Sequence, residues 1–516
     1  ASHPEVAAGS TIKYQNWELV DPEKWVPAVY ALVRVDSRGA GRSPGFLDIW
    51  SPRETQDLYH CIEWAGTQPW CNGKVGLNGI SYYAMNQWWV AALHPPHLAA
   101  MCAWEGAADY YRDVIRHGGI FCQFLTNLYP RAILRAQHGL GQRGFRSAVT
   151  GEWVSGPETL SEDELTRNRV DVEAWMLAHP LDDAETRARS AVWDEVTTPF
   201  LSAANWGGQG LHPRGNFEGF MRAAAPRKWL EVHGGAHWEE FYTDYGAELQ
   251  KRFFGYFLKG EDTGWENEPP VRLQIRHPDR FVERHESEWP IARTQWTKFY
   301  LDPESRSLAP APSQQPGTIA YEARGEGVRF LTPPLSEALE ITGPVAAKLF
   351  LSSTTADADV FLVLQVFAPD GEEVVFQGSN DPRTPIGLGW LRASQRKLDP
   401  ALTLPYRPYH SHDESWPLKP GEPVELDIEI WPTSIIVPPG YRIGLWIRGR
   451  DYEHAGAATA IAGVKYTLTG VGPFLHDHPQ DRPAEIFGGT NTLHSDADRQ
   501  AYLLLPVIPP RQPEER

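Results

Sequence analysis

The sequence predicts an α/β protein with a helical insertion, followed by an all-β domain. Three observations carry that expectation. Strand-like and helix-like runs alternate as far as Gly260. A serine stands at a strand-to-helix turn in Gly79-Ile80-Ser81-Tyr82. After residue 270 only short β-rich runs recur, divided by Pro and Gly stretches. At 516 residues the chain is too long for one core, so two or three domains are expected.

The elements follow in order. Tyr30–Asp36 reads as a strand. Ser51-Pro52-Arg53-Glu54 opens a helix with a capping-box pattern and proline in the first turn, running to about Trp64. Gly73–Asn78 reads as a short buried strand and Tyr82–Leu93 as a helix. Ala99–Trp104, Thr198–Ser202 and Lys228–Val232 are further strands, and their helical spacing implies a parallel sheet covered on both faces. The intervening 109–196 region is helical and polar, as expected of a cap over the C-terminal edge of that sheet, where open α/β sheets bind ligands. The α/β domain is thus assigned to 1–108 and 197–260, and 261–270 is a linker by composition. Residues 271–516 form the β domain, with strands at Val271–Ile275, Thr297–Leu301, Ala346–Leu351, Val360–Phe367, Val424–Ile430, Tyr441–Arg448 and Tyr502–Val507. That succession means a β-sandwich or jelly roll.

Ser81 is the first candidate for chemistry. A serine on a sharp strand-to-helix turn is the nucleophile elbow, and Gly79 removes a side chain where the turn is tight. The helix that follows aims free N–H groups beside Ser81, so the Tyr82 N–H is a candidate oxyanion donor. A hydroxyl is a weak nucleophile and needs a base. Two histidines follow the Lys228–Val232 strand, in His233-Gly234-Gly235-Ala236-His237-Trp238. Read with Glu239 and Glu240 they suggest metal ligands, but that spacing works only on a helix and Gly234-Gly235 breaks one. No metal is expected there. His410, His412, His476 and His478 lie in Pro-rich loops and are expected to be solvated.

Composition narrows the partners. A net charge of −18 without a basic run argues against nucleic acid and anionic membranes. No run approaches about 20 uninterrupted apolar residues, the length of a membrane-spanning helix. The opening Ala1-Ser2-His3-Pro4-Glu5 has no signal-peptide pattern. Cys61, Cys71, Cys102 and Cys122 stand in no metal-ligand spacing and read as small buried hydrophobes in a reducing, cytoplasmic setting. The long apolar strands of the β half offer an interface for a homo-oligomer.

Taken together, the motifs resemble the serine hydrolases that include cocaine esterase, α-amino-acid ester hydrolases and X-Pro dipeptidyl peptidases. The matching runs are Asp36-Ser37-Arg38-Gly39-Ala40-Gly41-Arg42-Ser43, Gln68-Pro69-Trp70-Cys71-Asn72-Gly73-Lys74-Val75-Gly76, Gly79-Ile80-Ser81-Tyr82 and Pro95-Pro96-His97-Leu98. The resemblance implies an α/β-hydrolase fold with a helical cap and a C-terminal jelly roll. It implies acyl transfer from a small ester or amide to water, without a cofactor. His237 matches the family's base, while His233 sits too close to the strand end. Asp36 and Arg38 read as a structural pair.

The chain departs from the pattern in three places. The family's acid would fall on Gly207–Gln209, where none exists. Sheet topology offers Glu105, at the end of the strand next to the serine strand, as the relocated acid; Glu218 and Asp109 are secondary candidates. The structural reading of Glu105 is a cap anchor through Arg112 or Arg116, and that of Glu218 is a place on an outer helix Asn216–Ala225 capped at Gly215-Asn216. The family's glycine two residues after the serine is Tyr83 here. The family's first strands, and a tyrosine hydroxyl that donates the second oxyanion bond, precede Asp36 by more chain than stands here. Two alternatives stay open beside hydrolysis: acyl transfer or ring closure with the same nucleophile, and a binding protein that kept the fold.

Overall fold

The computed structural model describes residues 8–313, 315–456 and 468–510; the opening Ala1–Glu5 run lies outside them. Two sheets organise the chain. The first has six strands in spatial order Val75–Ile80, Leu98–Trp104, Phe200–Asn205, Lys228–His233, Val271–His277 and Arg280–Glu286. The first five run parallel and the sixth is antiparallel. Parallel strands need cover on both faces. One face is packed by Met85, Trp88 and Val90 of the helix Tyr82–Ala91. The other is packed by Leu249, Phe253 and Phe254 of the helix Asp244–Phe254.

Several expectations shift at this level. Val271–Ile275, expected to open the β domain, lies in the strand Val271–His277, which pairs parallel to Lys228–His233 and extends the first sheet. Its alternating pattern fits either neighbour; only pairing decides. Tyr30–Asp36 takes no ladder partner among the described residues, and Val33 and Val35 remain exposed. The cap is chiefly short helices as expected, but it also holds a small hairpin, Arg116–His117 with Ile120–Phe121. The helix expected at Asn216–Ala225 spans Pro213–Arg222, since Pro213 fits its first turn. Asn216 is then not a cap; its buried amide ties Gly106, Ala103 and Ser202 together. The helix Pro52–Gly66 begins at Ser51, whose Oγ accepts from the Glu54 N–H.

The second sheet has eleven strands. Its ladder returns on itself where Leu339–Ser353 pairs with both Val424–Val437 and Tyr502–Val507. Closure leaves few free edges. Its interior is filled by branched side chains such as Ile341, Leu349, Leu362, Ile428 and Leu445.

Candidate active site

Ser81 caps the helix Tyr82–Ala91 with φ 58° and ψ −113°, a backbone state that side chains seldom adopt. Its N–H is shared between the Trp104 and Glu105 carbonyls at 3.1 and 3.2 Å, which pins the turn to the exit of the next strand. A Cβ on Gly79 would lie 2.5 Å from the Tyr83 Cβ, so the bulky Tyr83 is accommodated because Gly79 is bare. The first turn of the helix leaves the Tyr82 N–H without an intrahelical acceptor. The Tyr82 hydroxyl, by contrast, faces away to the Glu54 carboxylate at 2.6 and 2.7 Å.

Glu105 follows the neighbouring strand with φ 47° and is fully buried. A buried carboxylate in a strained backbone persists only when its surroundings hold it. Four groups do so. His237 Nδ1 donates to Oε2 at 2.8 Å, and the Ser379 hydroxyl donates to the same oxygen at 2.8 Å. The Asn205 amide donates to Oε1 at 3.3 Å, and His233 Nε2 lies 3.4 Å from that oxygen. Burial pushes the Glu105 carboxyl upward, but the two histidines outweigh it and hold the group well below the usual carboxylate range. Arg112 and Arg116, the expected anchors, go elsewhere: Arg112 to Asp109 and Asp182, Arg116 to Asp481. Glu218 is buried on Arg407 and Arg222, and Asp109 is tied to Arg112, so neither faces the serine loop.

At Gly207 and Gly208 the absence of an acid has a packing reason, whereas residue 209 houses a glutamine held by the Trp206 and Pro432 carbonyls. A Cβ on Gly207 would lie 2.3 Å from the Gly378 Cα, and one on Gly208 3.2 Å from the Ser379 Oγ. The β domain fills that space with Gly378-Ser379 and returns a hydroxyl to Glu105 from it.

Two histidines flank the serine. His237 binds Glu105 through Nδ1, and its Nε2 faces the Glu18 carboxylate at 2.7 Å. Both partners only accept, so both ring nitrogens donate and the ring is an imidazolium. Burial lowers its pKa, yet Glu105 and Glu18 together raise it to about 10. Its expected bond to Ser81 is therefore not made in this state. His212 makes that bond instead, with Nε2 3.0 Å from Ser81 Oγ. The His212 ring stacks on His237 at 4.9 Å between centroids and 10° between planes, and its Nδ1 lies 3.8 Å from Glu105 Oε2. Burial and the neighbouring His237 charge lower its pKa to about 3, so it is neutral. His233 is buried against Trp104, between Glu231 at 2.7 Å and Glu105. Burial pulls its pKa down, but Glu231 and Glu105 lift it to about 10.

Reading the sequence missed His212, Glu18, Ser379 and Asn205. His212-Pro213 at a helix start was a visible signal for the first; the others arrive only by tertiary contact. Asp36 and Arg38 do not pair. Arg38 binds Asp57 at 2.7 Å, while Asp36 accepts from the Arg42 N–H at 2.9 Å. His410, His412, His476 and His478 are buried rather than solvated, because their loops are packed between the cap and the β domain. Cys61 and Cys71 are only half-buried, while Cys102 and Cys122 are buried.

Ser81, His212 and His237 open on a cleft of about 1960 Å³, bounded by Tyr83, Phe124 and Leu211. That exceeds the roughly 300–1,000 Å³ of common ligand pockets. Only part of that volume borders the serine, since Val75, Leu77, Phe254 and Leu258 line it as well. No described helix is long and apolar enough to cross a membrane.

The X-Pro dipeptidyl-peptidase (S15 family) profile matches residues 5–239. The X-Pro dipeptidyl-peptidase C-terminal non-catalytic domain profile matches residues 263–504. A putative serine esterase of Mycobacterium tuberculosis is 27% identical, over 84% of this chain and 80% of its own. Cocaine esterase of a Rhodococcus species is 22% identical, over 93% and 88%. The crystal structure of a CocE/NonD family hydrolase from Staphylococcus aureus superposes with a TM-score of 0.84 at 31% identity, covering 96% of this chain and 83% of that one. An α-amino acid ester hydrolase shares the fold, with a TM-score of 0.61 at 14% identity.

Proposed function

The chain belongs to the CocE/NonD family of serine hydrolases, and from that premise we propose that Ser81 is the nucleophile, Glu105 the acid and His237 the base of its ester or amide hydrolysis. Ser81 Oγ attacks the acyl carbon, and its proton passes to the imidazole. The Tyr82 N–H faces the developing oxyanion at the helix start. The imidazolium then protonates the leaving group, and water releases the acyl-enzyme. The carrying observation is the 2.8 Å bond from His237 Nδ1 to the buried Glu105 carboxylate. A carboxylate there fixes the tautomer whose Nε2 accepts a proton, as an acid must in a triad. In this reading Glu18 leaves His237 Nε2 before the proton moves.

One observation favours a second reading of the base. His212 is already bonded to Ser81 at 3.0 Å and is neutral, and geometry precedes pKa in choosing a base. Once protonated, its Nδ1–H would face Glu105, 3.8 Å away.

The apolar walls around Tyr83, Phe124 and Leu211 favour uncharged acyl or alkoxy groups of a small organic substrate. The four free cysteines support a reducing setting such as the cytoplasm. Labelling with a fluorophosphonate tests the nucleophile. Stoichiometric labelling that vanishes in Ser81→Ala supports it; labelling that persists in the variant overturns it. Turnover of His237→Ala and His212→Ala on a chromogenic ester then separates the two bases.

A further inference from the structure

Away from the cleft, the cap hairpin and a loop of the β domain bring two histidines and a cysteine together. His117 and Cys122 sit at the ends of the hairpin, and His476 comes from the loop beyond Val471. All three are essentially fully buried. One ligating atom from each lies within 4.8 Å of the other two.

Hydrogen bonds fix the tautomers. His117 Nε2 faces the Asp113 carbonyl at 3.2 Å, and His476 Nδ1 faces the Asp451 carboxylate at 2.8 Å. Both partners only accept, so both outer nitrogens carry hydrogen. The inner nitrogens, His117 Nδ1 and His476 Nε2, are then bare in the neutral rings, and they stand 2.8 Å apart. A 2.8 Å contact between ring nitrogens has hydrogen-bond length, so either a proton on one ring or a metal cation joins them.

We propose that this pocket binds a zinc ion through His117 Nδ1, His476 Nε2 and the Cys122 thiolate. Two imidazoles and a thiolate are a donor set that zinc takes, with the fourth position of its tetrahedron left for solvent or an anion. Two nitrogens on one tetrahedral zinc stand about 3.3 Å apart, given Zn–N near 2.0–2.1 Å. The rings need to part by about half an ångström to admit it. The outer shell is already built, since a metal-bound imidazole commonly donates its other N–H to a carboxylate or carbonyl, as His476 does to Asp451 and His117 to Asp113. Binding releases the Cys122 thiol proton to solvent. The ion would tie the cap hairpin to the β domain beside the Arg116–Asp481 pair and the Gln123 N–H to Leu475 carbonyl bond. The rival occupant of the gap is a proton shared by the two rings.

Full-length protein, stripped by a chelator and repleted with zinc or cobalt(II), tests this. Expected are one retained zinc per chain, a thiolate-to-cobalt charge-transfer band in the cobalt form, and loss of that band in Cys122→Ser. Asp451→Asn should weaken zinc binding roughly 10–100-fold, as outer-shell changes do, with fluorophosphonate labelling of Ser81 unchanged. If Cys122→Ser does not fold, the wild-type cobalt spectrum decides alone. Protein that retains no zinc overturns the proposal, leaving the shared proton. So does cobalt bound without a thiolate band, or zinc lost in His237→Ala but kept in Cys122→Ser, which would put the ion on the Glu105–His212–His237 cluster.

Discussion

Replacing Glu18 by glutamine removes one of the two carboxylates that hold His237 as an imidazolium while keeping size and a hydrogen-bonding group. The contact is 2.7 Å long and nearly dry, with side-chain exposures of 5% and 13%. At an effective dielectric of about 20, unit charges about 4 Å apart interact by about 4 kcal/mol, which is about 3 pKa units. Relaxation and water entry reduce that to roughly 2–3 units. The His237 pKa of about 10 should then fall to roughly 7–8 in Glu18→Gln. A base acts only when deprotonated, so lowering its pKa raises the competent fraction at pH 7, from about 10⁻³ to about one tenth or more. The assay is the pH dependence of kcat/KM on a chromogenic ester. The ascending acid limb should move down by roughly 2–3 pH units, and turnover at pH 7 should rise about 100-fold where chemistry limits the rate. Superimposable profiles for the two proteins would refute His237 as the base, because His212 has no bond to Glu18. An inactive but folded Glu18→Gln would show instead that the carboxylate is required.

Other consequences are open to measurement. Ser81→Ala should fold and lose nearly all turnover, with ~10³–10⁴ over the uncatalysed rate surviving; kinetics beside a thermal melt check both. Glu105→Gln should lower kcat by up to ~10⁴ and also lower Tm, since four buried groups lose their charged partner; unchanged kcat in the folded fraction would make Glu105 an anchor only. Ser379→Ala should cost about 1.5–3 kcal/mol, the range for a hydrogen bond to a charged group, with kcat reduced but not abolished; chemical denaturation and turnover read it. The pKa of His233 is raised to about 10 from an unfolded value near 6.5. Its contribution to stability is therefore full below about pH 6.5 and is lost as pH rises through 10. Tm should decline across that window, less so in His233→Gln, and an equal decline in both proteins would remove His233 as the cause.

What the sequence made legible follows from range. Ser81 is visible because strand, turn and helix are contiguous and Gly79 marks the turn. Glu105 is visible one step later, because strand order puts its carboxylate beside the serine strand. The partners that complete the site lie far off: His212 is 131 residues from Ser81 and Ser379 is 274 from Glu105. No local pattern distinguishes such a histidine from a packed one. The same holds for His117, Cys122 and His476, whose spacing matches no ligand motif although the fold joins them. Strand runs were found largely where they lie, but pairing was not. Val271–His277 joins the parallel sheet, and Tyr30–Asp36 joins none among the described residues.

Glu105, the acid we propose, stands where the two domains meet. The β domain presses Gly378 against Gly207 so closely that a side chain at residue 207 cannot be housed. An acid at that position and this domain packing are mutually exclusive. Glu105 reaches the histidine from the neighbouring strand, and Ser379, part of the segment that closed the first position, supplies one of its hydrogen bonds. In the proposed mechanism the β domain acts on the chemistry through the Ser379 bond to Glu105, and it also contributes Asn380 and Pro473 to the cleft lining. Weakening the domain contact should therefore lower kcat before it alters KM, whereas a change at the cleft walls should do the reverse. Separate measurement of the two parameters in Ser379→Ala and in Phe124→Ala distinguishes these effects, and a KM-only change in Ser379→Ala would break the argument.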